Sequence, residues 1–316
     1  MSVTLADVVA ARQRIAPHLS ATPLVRSPTL SAASGGQVLL KLESQQVTHS
    51  FKARGALNAL MQAPANGGLI VTASAGNHGL AIAWAAERLG LRALVFTPRS
   101  APRTKTDAIT AHGAELRADA GNYEEAEALA KQYVVDHGAT FISPYNHPHV
   151  IAGAGTIGLE LLEQDPALDA VVVPVGGGGL ISGVALAVKS SRPSIQVTGV
   201  ESDASAAFKA AYRAGRIVEI EVRPTIADGL GGNVDPQTIT WPMIQRYVDQ
   251  LVVVYEDSIV AAVRHLARTE RVTAEGAGAT ALAAVLARGF DLAGRRTAVV
   301  VTGGNIDRER LTRLLG

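Results

Sequence analysis

The chain has 316 residues, 47% of them hydrophobic and 18% charged, with a formal net charge of +1 and no cysteine. That length supports two domains around substantial cores, and without a block of like charges neither nucleic acid nor an anionic membrane is expected as a partner. No apolar run is long enough to span a bilayer, and the absence of cysteine removes disulfides, thiolate nucleophiles and thiolate metal sites, so a cytoplasmic location is expected.

In chain order, MSVTLADVVAARQRIAP predicts an amphipathic helix capped by Thr4, with Asp7 three residues on, and lacks a signal-peptide layout. HSFKARGALNAL (49–60) sets Lys52 in apolar surroundings just before a helix that begins near Arg54. Desolvation there would lower the lysine pKa and free a nucleophilic amine, although the segment alone fits an ordinary solvated lysine better. LIVTAS (69–74) predicts a strand, followed by a helix to Leu89 with Gly90 as its stop. At that helix start, Ser74, Gly76, Asn77 and His78 offer donors suited to a substrate carboxylate. The plainer alternative makes Asn77 a cap and His78 a surface residue.

ALVFTP (93–98) precedes a helix, and NYEEAEALAKQYVVDHG is helical with an acidic first turn. FIS (141–143), a helix over 149–163, AVVVPV (170–175), a helix from about Leu180 and QVTGVES (196–202) follow. LVVVY (251–255), helices over 258–269 and 278–288, the strand TAVVVT (297–302) and a last helix complete the series. Continuous apolar strands between helices imply parallel sheet covered on both faces.

Four glycines, Gly176, Gly177, Gly178 and Gly179, stand between AVVVPV and the next helix. Their bare N–H groups and the helix dipole make an anion site, most naturally for phosphate, where a tight turn alone needs only one glycine. No GxxxxGK[ST] pattern is present. Gly177 and Gly179 open a GxGxxG pattern with Glu201 where a ribose-binding acid would stand, but the sixth position is Ser182. This dinucleotide alternative also leaves SFKARG and SAGNHG unexplained. In VVTGGNID (300–307), Thr302 ends a strand with its hydroxyl at the same sheet edge.

In this order and spacing, SFKARGA, SAGNHG, VGGGGLISG and TGGN resemble the serine/threonine dehydratase branch of the fold type II pyridoxal-phosphate enzymes, from about Thr22-Pro23-Leu24 to the last helix. The resemblance implies an α/β fold of two open, mainly parallel sheets with helices on both faces. It implies a large cofactor-binding domain of residues 1–45 and 141–316, and a small mobile domain of 46–140 that closes the site. Lys52 would hold pyridoxal 5′-phosphate as a Schiff base, with Phe51 beside it, Asn77 bonded to the ring hydroxyl, and Gly176 to Gly179 around the phosphate. Thr302 stands where the family usually has a serine on the pyridine nitrogen; a neutral partner weakens the electron sink and favours β-elimination. Lys52 and Ser74 are the catalytic candidates. Ser74, Ala75, Gly76, Asn77 and His78, with His49 nearby, would bind the substrate. The implied reaction eliminates water from a β-hydroxy amino acid, L-serine or L-threonine by default, giving a 2-oxo acid and ammonia. A homodimer acting on a small-molecule amino acid is expected.

Departures from the family pattern bear on the substrate. Ala75 replaces a second serine that serves racemases as a base, which argues against racemisation, and His78 stands where β-replacement enzymes tend to carry threonine. His49 replaces a common glycine, and Leu80 and Ala154 each replace a common glutamine. These leave 3-hydroxyaspartate or a bulkier substrate such as phenylserine open, beside a racemase and a catalytically silent cofactor-binding protein. Glu201 matches an acid of metal-activated relatives, but Ala207 stands at the place of their aspartate, so a divalent ion at Glu201 stays open. Glu275 matches a family acid near the cofactor pocket. The chain ends at Gly316, which leaves no room for a regulatory domain.

Overall fold

The computed structural model describes residues 3–63 and 68–316. Helix α1 (Leu5–Ile15) starts at the expected Thr4–Asp7 capping box. Then come β1 (Leu24–Ser27), α2 (Pro28–Ser34), β2 (Gln37–Leu42), α3 (Lys52–Leu60), β3 (Ile70–Ala73), α4 (Asn77–Leu89) and β4 (Ala93–Pro98). The middle of the chain supplies α5 (Arg103–Thr110), β5 (Glu115–Ala120), α6 (Tyr123–His137), β6 (Thr140–Phe141), α7 (Pro148–Gln164), β7 (Ala170–Pro174) and α8 (Gly179–Ser191). Next are β8 (Gln196–Ser202), α9 (Ala207–Ala214), α10 (Thr240–Tyr247), β9 (Gln250–Val254) and α11 (Glu256–His265), and finally α12 (Gly276–Leu286), β10 (Arg296–Val301) and α13 (Arg308–Leu315).

The strands form two sheets, as expected: one of six strands in the order β1-β2-β10-β7-β8-β9, one of four in the order β5-β4-β3-β6. Among the strand pairs of the described residues, only β1 with β2 is antiparallel. Central strands such as β7 and β10 are apolar and buried because helices cover both faces. Among the described residues no helix is long and apolar enough to cross a membrane.

Helices α3, α7 and α8 pack closely because glycines line the contact. A methyl group at Gly153 would press on the Arg54 carbonyl, and one at Gly155 on that of Gly183. Six strand and helix segments escape the apolar-run pattern: β1 and β2, where Lys41 interrupts QVLLKL, the mostly exposed edge strand β5, and the short helices α2, α9 and α10.

Candidate active site

Ligands in open parallel sheets gather beyond the carboxyl ends of strands. Here the loops after β10, β7 and β3 come together. After β10, Phe51 N donates to Thr302 O at 3.0 Å, and Ser50 bridges to Gly303. That pairing places Lys52 in the first turn of α3. Lys52 is half-buried, its Nζ donating to Pro144 O at 2.8 Å and lying 5.1 Å from the Phe51 ring centroid. Desolvation lowers its pKa to about 8, so a sizeable neutral fraction exists near neutrality. Thr302 is buried, and its hydroxyl makes only a long bond of 3.4 Å to Ala277 O.

After β7, the glycines are demanded by the protein as well as suited to an anion. A methyl group at Gly177 would overlap the Tyr145 ring; at Gly179 it would lie 3.0 Å from Tyr145 backbone, and at Gly176 3.0 Å from Leu230. Gly178 has φ +84° and would put a methyl group 2.8–2.9 Å from Ile244, Phe208 and Thr240. The Thr240 hydroxyl donates to Gly177 O at 3.0 Å, and α8 has no side-chain cap. Among the described residues, the N–H groups from Gly176 through Ile181 find no acceptor, while Ser182 N already bonds Gly178 O. This is a rigid anion cradle.

After β3, Ser74 Oγ accepts from Gly76 N at 3.1 Å, and α4 starts uncapped at Asn77. Asn77, His78 and Gly79 N–H groups lie free there, with Ala75 half-buried beside them. Both ends of the Asn77 amide are fixed: Nδ2 donates to Glu275 Oε1 at 2.5 Å, and Oδ1 accepts from Asn305 Nδ2 at 2.7 Å. Asn305 Nδ2 also bonds Thr48 O at 2.8 Å, just ahead of the lysine segment. Burial raises the Glu275 pKa to about 7. A cavity of about 160 Å³ opens beside Gly76, Asn77 and Leu80, walled opposite by Thr104, Lys105, Asn305 and Asp307.

His78 is buried, not on the surface. Its Nε2 meets Ile142 O at 3.2 Å, its Nδ1 has no partner, and burial lowers its pKa to about 3, so the ring stays neutral. What it offers a carboxylate is its backbone N–H. His49 is exposed and lies at φ +53°, and its carbonyl accepts from Gly304 N at 2.9 Å. The position that commonly holds glycine thus has a backbone reason for it. Ala154 is packed in the core.

Glu201, left open for a divalent ion, has a task in the fold. Its two oxygens accept from Phe208 N at 2.8 Å and Lys209 N at 2.9 Å, capping α9, and burial raises its pKa to about 7. Among the described residues no group of three or more metal-binding side chains gathers. Three site residues had gone unassigned: Pro144 and Tyr145 in the turn SPYNHP, and Asn305 inside TGGN. The turn residues ahead of α7 were the available signal for the first two.

Comparison with known proteins agrees with this geometry. Residues 15–303 match the family model described as pyridoxal-phosphate dependent enzyme. The chain is 41% identical to an L-threonine ammonia-lyase of Thermotoga maritima, over 99% of this chain and 78% of the relative. It is 37% identical to a catabolic L-threonine dehydratase of Escherichia coli, over 100% and 97%. Its fold is similar to the solved structure of maize serine racemase, with a TM-score of 0.94 and 34% identity over 99% of this chain and 97% of that one.

Proposed function

Because the chain belongs to the pyridoxal-phosphate-dependent enzyme family, we propose that it is an ammonia-lyase that dehydrates a β-hydroxy amino acid, L-threonine or L-serine by default. Supporting relatives carry threonine ammonia-lyase and threonine dehydratase names at 37–41% identity. The residues fit pyridoxal phosphate: a desolvated amine for its aldehyde at Lys52, the N–H cradle of Gly176 to Gly179 for its phosphate, and Phe51, Asn77 and Thr302 around its ring. When bound, the cofactor supplies the electron sink that acidifies the substrate Cα–H.

The chain's own groups do the rest. The free N–H groups of Asn77, His78 and Gly79, at the positive end of α4, seat the substrate carboxylate, with Ser74 beside them. The lowered pKa of Lys52 leaves a neutral amine that accepts the Cα proton at physiological pH. The Thr302 hydroxyl would offer the ring nitrogen a neutral partner, which would make the cofactor a moderate electron sink suited to loss of the β-hydroxyl as water. The nitrogen is released as ammonia and the carbon skeleton as a 2-oxo acid. Residues 46–140, which carry β3 to β5 and the carboxylate loop, act as the small mobile domain. The working protein is a cytoplasmic homodimer.

The observation that carries this reading is the lysine amine held on Pro144 O, next to the Tyr145 that packs on the glycine run at the uncapped start of α8. The test supplies pyridoxal phosphate to the purified protein and follows 2-oxo acid and ammonia from L-threonine, L-serine, 3-hydroxyaspartate and phenylserine. Release fastest from threonine or serine is expected; no release from any would leave a silent cofactor-binding protein. Ala75 lacks the hydroxyl base of racemases, so chiral chromatography of L-serine incubations should find elimination well ahead of D-serine. D-serine forming as fast as pyruvate would make the protein a racemase.

A further inference from the structure

Two residues beyond Lys52, Arg54 is buried in a closed network of four charges. Its Nε and Nη2 donate to both oxygens of Glu43 at 2.8 and 2.9 Å; Nη1 and Nη2 donate to both oxygens of Glu160 at 2.6 and 2.9 Å. Nη1 also reaches Thr156 Oγ1 at 3.2 Å. Lys41 Nζ completes the set with Glu160 Oε2 at 2.6 Å, Thr22 O at 2.8 Å and Gln164 Oε1 at 2.9 Å. Side-chain exposure runs from 0 to 5% across Lys41, Glu43, Arg54 and Glu160. The charges cancel, and every N–H of the guanidinium and of the ammonium has an acceptor.

Such a network is weak evidence of stability, because apolar residues of the same volume usually serve as well or better. What it supplies is geometry. Two planar forks meeting one guanidinium fix its plane and position in a way a lysine cannot. The forks come from the turn after β2 and from α7, so they clamp α3 against the six-stranded sheet. Residues two apart on a helix point about 200° apart, so Arg54 grips the face of α3 turned away from Lys52. A rotation of α3 by about 20° would shift the base of Lys52 by about 1 Å, and errors of that size cost on the order of 10²-fold in rate.

We propose that Arg54, clamped between Glu43 and Glu160, is a positioning residue that sets the azimuth of α3 and thereby the place of the Lys52 amine. The inference rests on Lys52 being the reacting amine. Arg54→Met alone strands Glu43 and should unfold easily. The informative variant is Arg54→Met with Glu43→Gln, which leaves Lys41 and Glu160 paired and no carboxylate alone. Arg54→Lys, which keeps the charge but not the forks, is its companion.

Three quantities are measured on protein loaded with pyridoxal phosphate: the melting temperature, kcat with saturating L-threonine, and the pH midpoint of borohydride-fixed cofactor labelling at Lys52, read by mass spectrometry. Melting within a few degrees of the parent is expected, with kcat down about 10²-fold and the labelling midpoint displaced from the parent's. Parent kcat and midpoint in either stable variant would overturn the proposal. If neither variant folds, the network is a folding requirement and the proposal falls. A parent protein labelled elsewhere than Lys52 would instead overturn the site assignment.

Discussion

The loops after β7 and β3 are built on one plan and differ in slack. Each runs from a strand end to a helix start without a side-chain cap, and each leaves N–H groups without an acceptor among the described residues. Around Gly176 to Gly179 every added methyl group would press on a neighbour, chiefly Tyr145, Leu230 and Phe208. At Gly76 the nearest atom to such a methyl group is Ser74 Oγ at 4.0 Å. On the proposed reading, a phosphate common to every turnover would be met by a loop with no freedom, and a substrate carboxylate that must enter and leave by one with room. On that reading the same helix-terminus electrostatics would serve permanent and transient ligands, with packing density deciding which.

The largest effect is expected at Gly177. A methyl group there must displace the Tyr145 ring, so Gly177→Ala should destabilise the apoprotein by about 2–3 kcal/mol and weaken cofactor binding more than tenfold. Chemical denaturation and titration with pyridoxal phosphate read the two effects separately. Unchanged stability would mean that Tyr145 yields easily and that the loop is not rigid.

Next is the prop behind the looser loop. Glu275 holds Asn77, and its folded pKa of about 7 lies above the unfolded 4.5. The folded state therefore binds the extra proton more tightly between those values, and this contribution to stability, full below about 4.5, is lost as pH rises through 7. Glu275→Gln keeps an acceptor for Asn77 but cannot titrate. Relative to the parent it should gain about 3 kcal/mol between pH 4.5 and 8. A pH-independent difference in urea midpoints would show that folding does not raise the Glu275 pKa. Glu201, raised in the same direction, is common to both proteins and cancels in the comparison.

The two loops were also unequally legible. The glycine run announces itself, because four adjacent glycines have few uses, and the parallel core shows as unbroken apolar strands. What props the loops does not. Glu275, Asn77 and Asn305 are 198 and 228 positions apart in their contacts, and nothing local marks them as partners. Lys41 hid β2 by looking like a break in an apolar strand, when Glu160 far along the chain neutralises it. At Glu201 the register of the acid was legible, but its bonds to the backbone N–H groups of Phe208 and Lys209 were not.

A smaller effect is expected where the β3 loop has slack. Gly76 has φ −117°, which any residue adopts, so Gly76→Ala should cost no more than about 1 kcal/mol. Cofactor absorbance should persist while KM for L-threonine rises severalfold, since the methyl group narrows the seat of the carboxylate. Loss of bound cofactor in this variant would erase the distinction between the loops.

The smallest effect concerns His49, whose segment joins the two loops to the lysine. Its φ of +53° is a conformation that side chains disfavour, and its carbonyl is engaged by Gly304 N. Glycine takes this backbone without steric cost but loses more freedom on folding. The net gain from His49→Gly should therefore be small, about 0.5 kcal/mol. The imidazole is exposed, so the backbone account expects the relative kcat/KM among serine, threonine and phenylserine to stay as it is. Thermal melts and a three-substrate assay on the same preparation decide the matter. A gain in stability with unchanged ratios assigns the position to the hinge of the lysine segment. A tenfold change in the ratios, about 1.4 kcal/mol of transition-state discrimination, would assign the ring to the substrate instead.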